Sequence, residues 1–217
     1  MSTANDSITV TPGTGATVAT QLVGGLEHQV VMIAGPDGHL DGSKPVYRLV
    51  IPPQAVGANK VHCDLFNASG SGVSLRILAA FAYPSLDVAV TGTVGVQLAL
   101  TRTSAVGTGG TAATNEGTSL TAGAISRIDS ATGALPAQVT ARAAPTGGAT
   151  AGAFIALRHV FTEETNAGTA LAGAFGAEFI RNEGASLIVP QGTGVRFVQG
   201  SVASVGSLSF EITFELV

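Results

Sequence analysis

Charge is scarce in this sequence, and the shortage narrows the range of partners. Asp, Glu, Lys and Arg make up 11% of the 217 residues, against roughly 25% in an ordinary soluble domain. The ten Lys and Arg are scattered, and the formal net charge is −4. No basic stripe is present to neutralise a phosphate backbone, so nucleic acid is not an expected partner. A sparsely charged surface favours a subunit that hides much of itself in an assembly; a β-protein with a neutral surface is the alternative.

Sulfur and tryptophan are scarcer still. Cys63 is the single cysteine, so no intrachain disulfide can form, and its expected role is that of a small buried apolar side chain. Trp is absent, which disfavours a sugar-cleft enzyme or a stacking lectin platform. The opening "MSTANDSITV" lacks the basic and apolar regions of a secretion signal, and every apolar run is interrupted before it reaches a membrane-spanning length. The sequence predicts a soluble protein without a leader, made in a cytoplasm, with no membrane partner.

The residues that are abundant favour strands. Val, Ile and Thr suit a pleated surface because they branch at Cβ, and the 29 glycines serve turns. In "TVGVQLALTRT" the apolar residues alternate with Gly95, Gln97, Ala99 and Thr101, and the closing "SLSFEITFEL" alternates in the same way. This period of two predicts strands with one buried face. The expected fold is all-β, an antiparallel β-sandwich of jelly-roll type.

Two parts of the chain depart from this pattern. Residues 1–20 are Thr- and Gly-rich and predict an extended N-terminal arm, which leaves residues 21–217 as a single β-sandwich domain. Residues 105–150 show little apolar periodicity apart from a short strand predicted at Gln138–Ala143. Connections of this length are usually functional or flexible. We expect a long loop excursion from the core, either an arm that contacts a neighbouring subunit or a mobile surface loop.

The stretch "LFNASGSGVSLRIL", Leu65–Leu78, resembles a phosphate-binding loop at first sight. Such a loop needs a helix after its glycines, whose N-terminus faces the phosphates. Here Val73, Leu75 and Ile77 alternate with polar residues, so a strand follows instead. We therefore predict a hairpin reversal in which Gly70 and Gly72 supply the permissive φ. The glycines of "GTGGT" at 107–111 fail the same test, because no helical pattern follows them.

Metal binding is weighed at two places. Asp37, His39 and Asp41 alternate in "PDGHLDG" and would share a face of an extended segment, although Asp-Gly pairs are also ordinary turn residues at a hairpin tip. In the triplet His62–Asp64, His and Asp are expected on one side of a strand and Cys on the other, so the three do not converge as ligands. We predict a turn at the first place and no metal or cofactor at either.

Catalytic residues are not predicted either. The four histidines accompany no nucleophile elbow; they are His28, His39, His62 and His159. His159 is expected on the apolar face of its strand, as a satisfied core or interface histidine. Glu163-Glu164 is expected to be a solvated strand end. The sequence predicts a non-enzymatic protein with no small-molecule substrate.

With chemistry excluded, the overall pattern resembles the virion proteins of tailed bacteriophages. Three stretches carry the resemblance: "VATQLVGGLEHQVVMIAGPDG", "LFNASGSGVSLRIL" and "IVPQGTGVRFVQGSVASVGSLSFEITFEL". In size and strand pattern the chain is most similar to capsid cement (decoration) proteins, small jelly rolls that trimerise on the outer shell.

The resemblance implies a structural subunit that binds the major capsid protein and itself, as a homotrimer on the capsid surface of the virion, after synthesis in the host cytoplasm. Wide, multivalent contacts to a repetitive lattice would give tight attachment without a cleft. The arm 1–20 and the excursion 106–150 are the expected contact segments. A tail-associated structural or adaptor protein remains an alternative, and so does a carbohydrate-binding adhesin that uses loops 35–42 and 107–118.

Overall fold

The computed structural model describes residues 20–23, 26–29, 44–85, 93–128, 134–147, 152–163, 175–179 and 186–217. The chain forms two compact units, Met1–Asp41 and Gly42–Val217. In the first unit, β1 (Thr20–Val23) and β2 (Leu26–Gln29) form an antiparallel pair. Residues 1–19 of the predicted arm lie outside the described residues, as does the predicted turn at residues 37–41.

All regular structure in the described part of the second unit is β-strand. The strands are β3 (Val46–Ala55), β4 (Val61–Asn67), β5 (Leu75–Ser85), β6 (Thr93–Thr103), β7 (Thr111–Ala112), β8 (Thr114–Asn115), β9 (Ala124–Arg127), β10 (Val139–Ala143), β11 (Phe154–Glu163), β12 (Phe175–Glu178), β13 (Leu187–Val189), β14 (Thr193–Gln199) and β15 (Ser207–Leu216). Within the described ranges there is no helix of the length and apolarity that a membrane crossing requires.

The strands form two packed sheets with the connectivity of a jelly roll. The six-stranded sheet has the order β11-β6-β14-β4-β10-β7, and the seven-stranded sheet has the order β12-β5-β15-β3-β9-β8. The seventh strand, β13, pairs with residues 75–77 of β5, next to the stretch 79–82 that pairs with β12. Eight principal strands alternate between the two sheets in chain order, except that β6 and β11 pair with each other in one sheet. These eight strands are β3, β4, β5, β6, β11, β12, β14 and β15. The first of the eight, β3, pairs with the last, β15. Two sheets of four such antiparallel strands are a jelly roll, and the predicted fold class is confirmed.

The excursion is the connection within the β6–β11 hairpin. Its described part adds β10 and β7 beside β4 in one sheet, and β9 and β8 beside β3 in the other. The strand predicted at 138–143 is confirmed as β10. Two legs of the excursion, before β7 and after β10, are joined by backbone hydrogen bonds between Thr108 and the Thr146–Gly147 pair. The excursion therefore extends both sheets at one side of the sandwich.

The core lies between the sheets and follows the predicted alternation in two strands. In β6, Val96, Leu98 and Leu100 are fully buried, and in β15 four large apolar side chains are fully buried: Leu208, Phe210, Ile212 and Phe214. Each strand turns its other residues to the outside of the sandwich. These two strands are the ones whose apolar period of two is uninterrupted, which is why their faces could be predicted.

The face of β11 was predicted wrongly. The register shifts between Phe154 and Ala156, so that Ile155 is an extra residue and the later residues change sides. Val160, paired with Val96, is fully buried in the core, whereas His159 is exposed opposite Gln97. His159 is therefore not a core histidine, and the interface role predicted as its alternative stays a prediction.

Arg158 of the same strand pairs with the buried Leu98, yet its side chain is exposed and donates a hydrogen bond to the carbonyl of Leu157. A charge thus stands at a core-facing register position of the strand that ends the six-stranded sheet.

The glycine-rich reversal is present, but it is not a hairpin. Gly70 and Gly72 take φ values of 86° and 74°, as predicted. The strands that they join, β4 and β5, belong to opposite sheets. The Asn67 amide, which is fully buried, donates to the carbonyls of Val73 and Val189 and fixes this crossing. The segment is a corner between the two layers.

Candidate functional site

The triplet His62–Asp64 divides between the two sides of its sheet in a way that the sequence did not predict. In β14, Phe197 pairs with Cys63 and the next residue, Val198, pairs with Val61. His62 therefore has no partner in β14 and is the extra residue of a β-bulge. His62 stacks on the core residue Phe210 with ring centroids 4.9 Å apart. Asp64 lies on the opposite face, where its carboxylate accepts a hydrogen bond from Gly107 N–H at 2.7 Å. His62 and Asp64 therefore do not share a side.

His62 is held neutral at one end of the sandwich. Its Nε2 lies 3.1 Å from Gln199 Oε1, and because an amide oxygen only accepts, Nε2 carries the proton. Burial lowers the pKa of His62 to about 4; the bond to Gln199 opposes this shift, and the positive charge of Lys60 adds to it. Gln199 also accepts from Gly57 N–H and donates to the carbonyl of Val202. The pair ties loop 56–60 to loop 200–206 and does not provide a general base at neutral pH.

Cys63 and Asp64 are unsuited to catalysis in other ways. Burial raises the pKa of the Cys63 thiol far above its usual range, and the charge of Asp64 acts in the same direction. The thiol stays protonated and fully buried in the core, whereas a nucleophilic cysteine needs an accessible thiolate. Burial also raises the pKa of Asp64, although the Gly107 bond and two arginines, Arg142 and Arg196, oppose that effect.

A buried polar row crosses the outer face of the six-stranded sheet beneath the excursion. Arg142 of β10, Asp64 of β4, Arg196 of β14 and Thr101 of β6 are successive register partners. Arg196 Nε donates to Thr101 Oγ1 at 3.4 Å, and Asp64, Arg196 and Thr101 are each at most 3% exposed. The row fixes the covering leg of the excursion to the sheet, so its role in the structure is to anchor that leg.

A small hollow opens on the same outer face, between β6, β11 and β14. We name it the β6–β11 hollow; its volume is about 220 Å³. The walls include Ala99, Thr101, Phe154, Leu157 and Val198, with Gln97 at one side. Phe154 is 72% exposed and Leu157 is 45% exposed. Cofactor and drug-sized sites usually occupy about 300–1,000 Å³, so this space is smaller than an ordinary small-molecule site.

The most exposed large apolar side chain in the described part of the chain is Leu120, at 89%. It lies in the excursion between β8 and β9, in a segment that we name the tip, residues 116–123. Ser119 Oγ accepts hydrogen bonds from Thr121 N–H and Ala122 N–H. Gly123, with φ 81°, places the following strand against β3. The leucine is thus presented to solvent by an ordered turn.

The other predicted positions add no chemical site. In the described ranges no three His, Cys, Asp or Glu side chains come together as metal ligands. Residues 107–111 lead into the short strand β7, and Gly107 and Gly109 contact Asp64 and Thr146 of their own fold. Residue 164 and the loop 35–42 lie outside the described residues.

Comparison with known proteins identifies no relative. The chain matches no family model, no curated protein and no solved structure. The jelly roll is therefore established by strand order alone, and the function must be argued from surfaces.

Sequence patterns did not identify the hollow or the tip. The hollow is assembled from three strands whose residues span 97 to 200, and no local pattern marks it. The tip carries one local signal, a Leu in the middle of the polar run "NEGTSLTAG", which stands out only once its exposure is known.

Proposed function

We propose that this protein is a non-enzymatic structural subunit of a tailed-phage particle, a capsid cement protein that binds the major capsid protein lattice as a homotrimer on the capsid surface. The observation that supports this proposal most directly is the display of exposed apolar side chains on ordered parts of a jelly roll, above all Leu120 at the tip and Phe154 beside the hollow. Burying such side chains against a partner removes apolar surface from water and stabilises the complex.

The buried polar row supports the same proposal. The excursion is 46 residues in the prediction, yet its described part is built into both sheets and fixed to Asp64. A contact element that is ordered before binding loses less conformational entropy when it binds. A lattice subunit benefits because each weak contact is repeated many times.

The test is addition of the purified protein to capsid shells assembled without it. We expect saturable co-sedimentation at a fixed ratio to the major capsid protein, and electron microscopy should place the added density on the shell exterior. Shells that already carry their full complement should take up none, which is the control. Density on the tail, or no uptake by bare shells, would contradict the proposal.

One observation favours the adhesin as a second candidate. Phe81 and Tyr83 stack on the outer face of the seven-stranded sheet, with ring centroids 5.9 Å apart, and Tyr83 is 36% exposed. Burial raises the pKa of Tyr83; the charge of Glu211 adds to this shift and that of Arg48 opposes it, so aromatic and charged groups lie together there. A glycan array with wild type and Tyr83→Ala tests this function, which requires binding by wild type that the variant loses.

A further inference from the structure

Two loops that we name the end loops, residues 56–60 and 200–206, lie together at one end of the sandwich. The backbone N–H groups of Val56 and Asn59 donate to the carbonyls of Gly206 and Gly200, at 3.0 and 2.9 Å. Every residue of the end loops except Gly206 is exposed or half-buried, so polar contacts, more than apolar burial, hold the loops together. Segments of this kind open at a lower cost in free energy than the core does.

Gln199 joins the end loops to the ring of His62. Its side-chain oxygen accepts from Gly57 N–H at 2.8 Å and lies 3.1 Å from His62 Nε2. Its side-chain nitrogen donates to the carbonyl of Val202 at 3.2 Å, and its backbone N–H donates to the carbonyl of Lys60 at 2.8 Å. Gln199 is itself buried. A change in the charge of the ring therefore acts on both end loops through one side chain.

The imidazole of His62 has no place for a second proton while the end loops are closed. The ring is fully buried, and its free nitrogen, Nδ1, has no hydrogen-bond partner among the described residues. Protonation would place a hydrogen on Nδ1 and a positive charge on the ring. A buried charge without a counter-charge is costly, whereas water that reaches the ring would hydrate it. The same proton therefore favours an open arrangement.

The groups around the ring add to this cost. His62 is contacted by β15 through the stacked Phe210, by β14 and loop 56–60 through Gln199, and by β10 through backbone hydrogen bonding. Lys60 is the charged residue of these elements that acts on the ring, and it opposes protonation. Cys63, next along β4, is a neutral thiol. The other charged residues of these elements lie on the outer faces of the two sheets; they are Asp64, Arg142, Arg196, Glu211 and Glu215.

We propose that His62 is a pH-sensitive switch: its neutral ring keeps the end loops closed through Gln199, and uptake of a proton at Nδ1 in mild acid opens them while both sheets stay folded. The inference is independent of the proposed function. Loop 200–206 displays Val202 and Val205, which are 69% and 52% exposed. A partner that binds through these residues at neutral pH would be released in acid.

The size of the response follows from the two protonation equilibria of the ring. The pKa of His62 is about 4 with the end loops closed, against 6.5 for the free side chain. The closed state binds the proton less tightly, so the closed state loses stability as pH falls below 6.5. Between pH 7.5 and pH 5 the opening equilibrium should rise about 30-fold.

The experiment is amide hydrogen exchange of the full chain, followed residue by residue by NMR at pH 7.5 and pH 5 and corrected for the intrinsic exchange rate. The amides of Gly57, Asn59 and Gln199 should lose about 30-fold in protection. Low concentrations of urea should leave their exchange unchanged, because local opening exposes little surface. Leu98 and Leu100 in the core of β6 report global unfolding, which urea accelerates.

Two variants separate the switch from a general effect of acid. Gln199→Glu keeps an acceptor for Gly57 N–H and gives the protonated ring a counter-charge, so its end loops should stay closed at pH 5. His62→Gln keeps a side-chain N–H but takes up no proton, so its protection should not depend on pH. His159→Gln, at an exposed histidine, is the matched control and should respond as wild type does.

Three results would each overturn the inference. The first is unchanged protection of the end-loop amides in wild type. The second is a loss that responds to urea as the core amides do, since acid would then unfold the whole protein. The third is a loss of wild-type size in either Gln199→Glu or His62→Gln. Circular dichroism checks that the variants are folded, and either of the two decides the matter if the other does not fold.

Discussion

His62 is a buried imidazole that stays neutral, and this makes the stability of the protein depend on pH. Its folded pKa is about 4 against 6.5 for the free side chain. Between these values the unfolded chain binds a proton that the folded chain refuses, so stability is full above pH 6.5 and declines as pH falls toward 4. The total loss is on the order of 3 kcal/mol.

The measurement is the free energy of unfolding by urea from pH 7.5 to 4 for wild type and His62→Leu. The variant removes the imidazole, so the difference between the two curves isolates its contribution from that of Asp64. The raised pKa of Asp64 acts with the opposite sign, because the stability it contributes is lost as pH rises. Parallel curves would contradict the assignment of His62.

A substitution at Gly107 tests how the excursion is attached to the sheet, because Gly107 N–H bonds the Asp64 carboxylate. A Cβ added there would meet the carboxylate of Asp64 and would come within 2.6 Å of Pro145 Cβ. Gly107→Ala should therefore cost about 1–3 kcal/mol, by overpacking and by weakening the bond to the buried carboxylate. In the matched Gly57→Ala, the nearest atom would be 3.7 Å away, and stability should change by less than about 0.5 kcal/mol. Thermal and urea unfolding measure both, and equal losses would contradict the argument.

At the scale of elements, β10 shows that the excursion belongs to the sandwich. Val139 and Ala141 are buried in the core, whereas Thr140 between them is exposed. Val139→Asp should destabilise the protein by about 3 kcal/mol or more, because an unpaired charge is buried.

Thr140→Asp is the neighbouring control, expected within about 0.5 kcal/mol of wild type. Urea unfolding followed by circular dichroism measures both. A small effect of Val139→Asp would mean that the excursion is an appendage.

The buried face of a strand could be predicted where it follows from the strand's own sequence. The prediction failed where the face depends on how a partner strand pairs with it. The alternation of β6 and β15 identified their buried residues, since each residue's side follows from its neighbour's. Ile155 and His62 are bulged residues, set by what β6 and β14 place opposite them. Positive φ at Gly70 and Gly72 was local and predictable; which sheets they connect depends on strand order. The hollow, built from three strands, had no signal at all.

For the whole molecule, the last strand completes the fold. β15 lies between β3 and β5 and contributes four of the fully buried large side chains. Its partner β3 begins at Val46, so the contact joins distant parts of the chain. Deletion of Ser207–Val217 should abolish the cooperative unfolding transition, because both neighbours and the core lose their partner.

A chain that lacks only Val217 is the control for this deletion. It loses the two backbone hydrogen bonds between Val217 and Ser74 and should keep a cooperative transition. The measurement is urea unfolding followed by far-ultraviolet circular dichroism. A sharp transition in the longer deletion would show that β15 is dispensable.

Arg158 has a consequence for a protein that would be crowded on a surface. A terminal strand with free backbone groups invites a neighbour's strand to add on, which leads to fibrils and precipitates. Adding a strand beside β11 would trap the guanidinium of Arg158 at a core-facing position, away from water. Neighbouring copies can still contact each other through side chains, whereas addition of a strand by backbone hydrogen bonds is disfavoured. Copies packed at high density can then come apart again instead of fusing.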